Sequence, residues 1–385
     1  MTETHANGTV NSNVNPQVDS KNPQASGTQL ALLFPGQGSQ AVGMGRAFYD
    51  TVPAARAIFQ EADDALGFAL SRLIFEGPED QLKLTEHTQP AILTTSIAIL
   101  RALEPELKSR NLTVAFAAGH SLGEYSAHVA AGTFSFANAV RTVRSRGQFM
   151  QAAVPPGAGA MAAILGLPAA RINDICARVS DELTAPPPDD PANPSAQAAP
   201  TMEALTDPAN PASTPTEAAT RVSAVVAPAN LNSPEQTVIS GSKEAVERAA
   251  SLCKEAGAKR AIMLPVSAPF HCKLMQPAED ELATTLESII FNDSAFPVAA
   301  NVDARLLRRG AEIRDALIRQ VTGAVRWVEC IELLKQSGAT HYIEVGPGKV
   351  LSGLNGKIDR TLRSTNVDSP ETLQKSLEFL ISPAE

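Results

Sequence analysis

The sequence feature that most constrains the fold is the pentapeptide at residues 119–123, Gly-His-Ser-Leu-Gly, which fits the pattern G-x-S-x-G. An apolar run at residues 114–118 precedes it and favours a buried strand, and residues 124–131 favour a helix. Between a strand and a helix, this pattern is typical of a sharp turn that holds a serine hydroxyl out from the backbone. The sequence therefore predicts that Ser121 is a nucleophile. A serine that only caps the helix is the alternative.

Strands and helices alternate along the chain, which predicts an α/β fold with a mostly parallel sheet covered on both faces. The strands expected in this sheet are residues 30–34, 114–118, 298–302 and 342–345. Within the chain, further elements follow the order βαββαβ, which is that of a ferredoxin-like unit. Its expected strands are residues 160–167, 222–227, 237–240 and 260–266, and its expected helices are 168–179 and 245–256. We therefore expect an α/β core at 29–152 and 267–385, and an inserted ferredoxin-like subdomain at 153–266.

Two segments have compositions that argue against a packed core. Residues 1–28 are polar and contain no apolar stretch of the kind found in a signal peptide, which predicts a disordered tail and no targeting segment. Residues 184–220 are rich in proline and alanine, which predicts a disordered surface insertion in the subdomain.

Composition excludes several classes of function. The formal net charge of −9 at pH 7 argues against a nucleic-acid-binding protein. Apolar runs are far shorter than the ~20 residues that a membrane-spanning helix needs. The four cysteines are scattered and form no C-x-x-C pair, so neither a zinc site nor a disulfide framework is indicated. We expect buried thiols in a reducing cytoplasm and no bound metal.

A serine hydroxyl needs an adjacent base to act as a nucleophile at neutral pH. Elimination among the six histidines favours His271, because it follows the carboxyl end of the strand expected at 260–266. The side chain of His120 is expected to point away from Ser121. Two kinds of group could orient the imidazole: a carboxylate, or a backbone carbonyl that accepts from Nδ1. The candidate carboxylates are Asp303 and Glu344.

Eight motifs occur in one order between about residues 30 and 357. They are FPGQGSQ at 34–40, TQPA at 88–91, GHSLGEYSA at 119–127, RG and MQ within 146–151, NLNSP at 230–234, PVSAPFH at 265–271, NVD at 301–303 and EVGPGKV at 344–350. Together they resemble those of malonyl-CoA:acyl-carrier-protein transacylases and of the acyltransferase domains of fatty-acid and polyketide synthases. The resemblance implies a hydrolase-like α/β core with a ferredoxin-like small subdomain, in a monomer that binds no cofactor.

The resemblance also implies a role for individual residues. Ser121 is expected to be the acylated nucleophile and His271 its base, with the N–H groups of Gln37 and Leu122 as the oxyanion hole. Arg146 is expected to hold the malonyl carboxylate, since a planar guanidinium can pair with a carboxylate in a dry pocket. The other residues expected to bind substrate are Gln89, Asn230 and Phe270.

The resemblance also bears on Phe270 and on the group that orients His271. A phenylalanine at Phe270, before the histidine, goes with malonyl in related acyltransferases, because its ring would crowd a branch on the α-carbon of the acyl group. In the family, the main-chain carbonyl of a glutamine often orients the histidine. This chain is expected to have Arg326 at that position. The role could be kept, because a main-chain carbonyl accepts a hydrogen bond whatever the side chain is.

The implied reaction is transfer of malonyl from malonyl-CoA to the phosphopantetheine thiol of acyl carrier protein through a malonyl-serine, for fatty-acid synthesis. The absence of fused synthase domains favours that pathway over a polyketide pathway. Two competing hypotheses are a serine thioesterase or esterase, and an inactive scaffold that binds the carrier. Carrier docking would need a local basic patch. The candidate residues are Lys259 and Arg260, and a second group of Lys349, Lys357 and Arg360.

Overall fold

The computed structural model describes residues 28–184, 224–266 and 268–382. The tail expected at 1–28 and the insertion expected at 184–220 lie outside the described residues, apart from Thr28 and Thr184 at their borders.

Ten strands and fourteen α-helices make up the described chain. The strands are β1 (Leu30–Phe34), β2 (Val114–Gly119), β3 (Gly159–Leu165), β4 (Val226–Ser233), β5 (Gln236–Ser242), β6 (Arg260–Met263), β7 (Val298–Ala300), β8 (Arg305–Leu307), β9 (His341–Val345) and β10 (Arg363–Val367). The helices are α1 (Arg46–Thr51), α2 (Pro53–Leu66), α3 (Leu70–Glu76), α4 (Glu79–Leu82), α5 (Thr85–Ser109), α6 (Leu122–Ala130), α7 (Phe136–Ala152), α8 (Ala169–Thr184), α9 (Lys243–Glu255), α10 (Gln276–Glu287), α11 (Gly310–Arg319), α12 (Trp327–Gln336), α13 (Val350–Ile358) and α14 (Pro370–Ile381).

The larger sheet has six strands in the order β10-β9-β1-β2-β7-β8. Its first five strands pair in parallel, and β8 pairs antiparallel with β7. The mostly parallel sheet predicted from the sequence is therefore confirmed, with all four expected strands present. The edge strands β8 and β10 were not expected. Both begin with arginine, and neither is a continuous apolar run of the kind that marks a buried strand.

Both faces of this sheet are covered, as predicted for parallel strands. Successive side chains of β1 point to opposite faces. Leu30, Leu32 and Phe34 pack into the core formed with α5, α6 and α7. Ala31 and Leu33 pack into a second cluster, with side chains of α12 and α13. Because β1 and β2 pair in parallel, their carboxyl ends lie at the same edge of the sheet, where Phe34 lies opposite Gly119.

The smaller sheet is antiparallel, with the order β4-β5-β3-β6. Helices α8 and α9 pack on it around a separate apolar cluster, so the βαββαβ prediction is confirmed. The strand expected at 222–227 is misplaced, because β4 runs over Val226–Ser233. Residues 222 and 223 lie outside the described residues. Irregular pairing near Pro228 and near Leu231 explains the error, since bulges break the side-chain alternation of a regular strand.

The smaller sheet is joined to the larger unit through β4. Asn230 of β4 bridges Val325 of the larger unit in parallel. The N–H of Val325 donates to the carbonyl of Ala229, and the N–H of Leu231 donates to the carbonyl of Val325. The elements of the small sheet lie between Gly159 and Met263, and the exact domain limits stay a prediction.

Three expectations from composition concern the whole described chain. All four cysteines are buried and unpaired, as predicted. Within residues 28–184, 224–266 and 268–382, no group of three or more His, Cys, Asp and Glu side chains could hold a metal ion. No described helix combines the length and the apolar character that crossing a membrane requires.

Candidate active site

Ser121 stands on the turn between β2 and α6, at the edge of the sheet where β1 also ends. Its φ of 51° and ψ of −107° are strained for a residue with a side chain. The turn is possible because of its glycines. A Cβ at Gly119 would lie 1.9 Å from the carbonyl carbon of Gly123, and a Cβ at Gly123 would lie 2.0 Å from the carbonyl oxygen of Phe34. The strand–turn–helix prediction is therefore confirmed.

The hydroxyl of Ser121 does not cap α6. It lies 2.7 Å from Nε2 of His271 instead. The nucleophile interpretation of the motif thus fits the geometry better than the helix-cap alternative. His271 is 4% exposed and has a φ of 59°, so its ring is held in place by the surrounding structure.

Two backbone carbonyls orient the imidazole. Nδ1 of His271 lies 2.9 Å from the carbonyl oxygen of Gln320 and 3.1 Å from that of Gly323. A carbonyl only accepts hydrogen bonds, so Nδ1 carries the proton, and the lone pair of Nε2 faces the hydroxyl of Ser121. Of the two kinds of group left open by the sequence, the backbone carbonyl is the one that the structure supports.

The carboxylates considered for this role are engaged elsewhere. Asp303 pairs with Arg319 at 2.7 Å. Glu344 accepts the N–H groups of Leu351 and Ser352 at the start of α13.

The expectation that the chain has Arg326 in place of the glutamine is wrong. The orienting carbonyls belong to Gln320 and Gly323, and the side chain of Arg326 pairs with Glu329. The error arose because a backbone contact leaves no residue pattern in this loop. His120 contacts Asn232 of β4, with 2.8 Å between Nε2 and Oδ1.

Burial, and then the positive charge of Arg146, lower the pKa of His271 to about 3. The imidazole is therefore neutral at pH 7, which is the form that can take a proton from serine. Since Nδ1 already donates to backbone carbonyls, the proton can be accepted only at Nε2.

Arg146 lies on α7 and is 2% exposed. Its Nη1 donates to Oε1 of Gln89 at 2.9 Å, and its Nη2 donates to Oε1 of Gln320 at 3.0 Å and to Oγ of Ser121 at 3.2 Å. The guanidinium also lies over the ring of Tyr125, 5.5 Å from its centroid. Within the described part of the chain, every hydrogen-bond acceptor of this buried cation is uncharged. Such a site favours an anionic ligand, because a buried charge is costly without a counterion.

Seven of the eight predicted site residues meet at one cavity of about 390 Å³. It is lined by Gln37, Ser121, Leu122, Arg146, Asn230, Phe270 and His271, and also by Met150 and Met161. Gln89 is not in the lining; it lies behind Arg146 and is 1% exposed. Leu122 is the first residue of α6, so its N–H precedes the hydrogen-bond ladder of the helix and can face a ligand.

The sequence interpretation missed a second layer of polar residues, formed by Glu124, Asn301 and Gln320. Two of them lie in the GHSLGEYSA and NVD motifs, which could have drawn attention to them, whereas no motif marks Gln320. Of the expected docking residues, Lys259, Arg260 and Lys357 line one groove of about 270 Å³. Arg360 lines a different groove.

The fold and this arrangement define the class of the chain, which is an acyltransferase with a serine at a strand–helix turn. The acyl transferase domain family matches residues 31–184. The malonyl CoA-acyl carrier protein transacylase of Bacillus subtilis (strain 168) is 44% identical over 353 residues, which cover 92% of this chain and 98% of that protein. That of Escherichia coli (strain K12) is 44% identical over 352 residues, covering 91% and 100%. The chain belongs to the malonyl CoA-acyl carrier protein transacylase family.

Solved structures of malonyltransferases are also similar to this chain. The acyl-carrier-protein S-malonyltransferase from Burkholderia pseudomallei 1710b is 41% identical, with a TM-score of 0.77, and the match covers 91% of this chain and 100% of that one. A malonyl-transacylase in complex with its type II polyketide-synthase acyl-carrier protein is 40% identical, also with a TM-score of 0.77, covering 91% and 99%.

Proposed function

We propose that the chain transfers the malonyl group from malonyl-CoA to the phosphopantetheine thiol of acyl carrier protein, through an ester on Ser121, and so supplies fatty-acid synthesis. The observation that carries the proposal is the buried cation of Arg146, whose Nη2 lies 3.2 Å from the serine hydroxyl. An acyl group that ends in a carboxylate would meet a positive charge there, close to the reacting oxygen.

In the first half-reaction, Ser121 Oγ attacks the thioester carbonyl while Nε2 of His271 accepts the hydroxyl proton. The negative charge that forms on the carbonyl oxygen is stabilised by the N–H groups of Gln37 and Leu122. The bond from carbon to sulfur then breaks, and the coenzyme A thiolate takes the proton back from His271. A malonyl ester on Ser121 remains.

The second half-reaction reverses these steps with a different thiol. The phosphopantetheine thiol of the carrier gives its proton to His271 and attacks the ester carbonyl. Collapse of the tetrahedral intermediate restores the Ser121 hydroxyl, which regains the proton, and releases the malonyl-carrier. The net reaction exchanges one thioester for another, so no oxidant, metal or bound cofactor is required. We expect the enzyme to act as a monomer in the cytoplasm.

Specificity has two components in this proposal. Arg146, backed by Gln89 and Gln320, favours a carboxylate. Phe270 lines the cavity, where its ring would crowd a branched acyl group, and Asn230 lines the same cavity. A serine esterase for uncharged acyl groups would have no use for a buried guanidinium beside its nucleophile.

The carrier itself can come from a fatty-acid or a polyketide pathway. A carrier of a polyketide pathway is the second candidate, because a malonyl-transacylase solved with such a carrier is similar to this chain. The ratio of kcat/KM for carriers of the two kinds would separate them.

Intact-mass measurement after incubation with malonyl-CoA, without carrier, tests the central step. We expect the wild type to gain one malonyl group and Ser121→Ala to gain none. Ser126→Ala is the matched control, because this serine is also buried in α6 and its hydroxyl has no hydrogen-bond partner among the described residues. A malonyl adduct on Ser121→Ala would contradict the proposal. Rapid release of free malonate without carrier would favour a thioesterase.

A further inference from the structure

Glu124 lies in the first turn of α6, three residues after Ser121, and is fully buried. Its Oε2 accepts the backbone N–H of Asn301 at 2.9 Å and the side-chain Nε2 of Gln320 at 2.8 Å. Its Oε1 has no hydrogen-bond partner in the described part of the chain. Nε2 of His128 is 3.9 Å from that oxygen. The hydrogen bonds of this carboxylate are thus concentrated on one oxygen.

Asn301 connects that oxygen to the turn of the nucleophile. Its Oδ1 accepts the N–H of Ser121 at 2.7 Å, and its Nδ2 donates to the carbonyl of Gly119 at 2.8 Å. The side chain of Asn301 therefore holds the strained backbone of Ser121, and the backbone N–H of Asn301 is in turn bound to Glu124.

Gln320 connects the same oxygen to the other polar groups of the site. Its Oε1 accepts from Arg146, and its Nε2 also donates to the carbonyl of Ser121 at 3.0 Å. Its main-chain carbonyl accepts from Nδ1 of His271. Glu124 is consequently separated by a single residue from the nucleophile, from its base and from the buried cation.

The chemistry of a carboxylate dictates how the Gln320 amide is turned. A carboxylate can only accept, so the amide must present its NH₂ group to Glu124, which leaves Oε1 facing the guanidinium. With the amide turned the other way, its NH₂ would face the donors of Arg146 and its oxygen would face Glu124. Both contacts would then be unfavourable, and Arg146 would lose an acceptor that aligns it with Ser121.

We propose that Glu124 is a positioning residue for acyl transfer. It acts through Gln320 to hold the Arg146 guanidinium and through Asn301 to hold the turn of Ser121, and so sets the preference for an acyl group that carries a carboxylate. This inference rests on the proposed function. A positioning role differs from a purely structural one in its consequence: when Glu124 is lost, the choice of substrate must change as well as the rate.

The test compares two substitutions that separate the hydrogen bonds from the charge. Glu124→Gln can keep both contacts, with its amide oxygen in place of Oε2 and its NH₂ in place of the oxygen that has no partner. Glu124→Met has a similar volume and removes both acceptors. The quantity measured is kcat/KM for malonyl-CoA divided by kcat/KM for acetyl-CoA. We expect the Gln variant to keep this ratio close to the wild-type value.

We expect Glu124→Met to lower the ratio by about 10- to 100-fold, since misplacement of a positioned group by about 1 Å can cost that much. Acetyl-CoA should be affected less, because it does not use Arg146. Glu124→Ala is measured as well, so that the test does not depend on one variant folding. An unchanged ratio in the variants without an acceptor would overturn the proposal, as would an equal fall in the Gln variant.

Val129→Ala is the matched control for a general loss of packing. Val129 is buried on the same helix, and removing its methyl groups leaves a cavity that lowers stability. We expect its Tm to fall and its substrate ratio to stay the same. A similar change of ratio in this variant would show that destabilisation is the cause. A wild type that does not transfer malonyl would refute the proposed function itself, whereas an active wild type with an unaltered Glu124→Met ratio would refute only the role of Glu124.

Discussion

Replacing Arg146 by alanine removes the buried cation that contacts the serine hydroxyl. In the wild type its two terminal nitrogens donate to Gln89, Gln320 and Ser121 over 2.9 to 3.2 Å. A planar guanidinium at the wall of the cavity can hold a carboxylate through two parallel hydrogen bonds. Without it, the malonyl carboxylate would lose the charged partner that lies beside Ser121, and it would still have to give up bound water on entering the cavity.

Truncating one member of a buried, hydrogen-bonded charge pair costs about 2–5 kcal/mol. That corresponds to a fall in kcat/KM for malonyl-CoA of about thirty-fold to about four-thousand-fold. The lower end applies where water fills the space left by the guanidinium. Acetyl-CoA carries no carboxylate, so its kcat/KM should stay the same or rise.

The assay is the initial rate of acyl transfer from each of the two coenzyme A esters, for the wild type and for three variants. Arg146→Lys keeps the charge and loses the planar fork, so its substrate ratio should lie between the ratios of the wild type and of Arg146→Ala. Arg141→Ala is the matched control, because Arg141 lies on the same helix and is exposed. We expect this control to leave both rate constants unchanged.

A proportional fall for malonyl-CoA and acetyl-CoA in Arg146→Ala would refute the reasoning, since it would show that Arg146 supports the fold and does not bind the substrate. Stability should fall as well, because the buried oxygens of Gln89 and Gln320 lose their donor and the side chain leaves a cavity. The ratio of the two kcat/KM values separates this from substrate binding, since a loss of folded protein lowers both in proportion.

Two further predictions concern the base and the carrier. The lowered pKa of His271, about 3, keeps the imidazole neutral in mildly acidic solution, so kcat/KM for malonyl-CoA should fall by less than about twofold from pH 7.5 to pH 5.5. A base with the ordinary pKa of about 6.5 would lose about tenfold over that range, and such a loss would contradict the burial argument. Reversing the charge of Lys259, Arg260 and Lys357 should raise KM for an acidic carrier and spare KM for malonyl-CoA, because these residues line one groove. Lys108→Glu, at the exposed end of α5, is the control, and equal effects on both substrates would argue against a docking patch.

The sequence by itself was sufficient where a structural requirement is local. The tight turn at Ser121 needs small residues at fixed positions around it, so Gly119 and Gly123 reveal it without any knowledge of the fold. The alternation of apolar and amphipathic segments was equally informative, because each strand and helix must bury one part of its own surface. It yielded the parallel sheet, the ferredoxin-like unit and most element positions. β8 and β10 were missed because their sequences contain no continuous apolar run.

The contacts that organise the site depended on tertiary structure. The groups that orient His271 are backbone carbonyls, which every residue possesses, so no side-chain pattern could identify Gln320 or Gly323 in advance. The burial of Arg146 and the network around Glu124 likewise arise only when α6 and α7 pack against the loop that carries Gln320. Ser121 and Gln320 are 199 positions apart in the chain. Local periodicity carries no information about pairs so distant, because their approach is decided by how the two layers of helices close over the sheet.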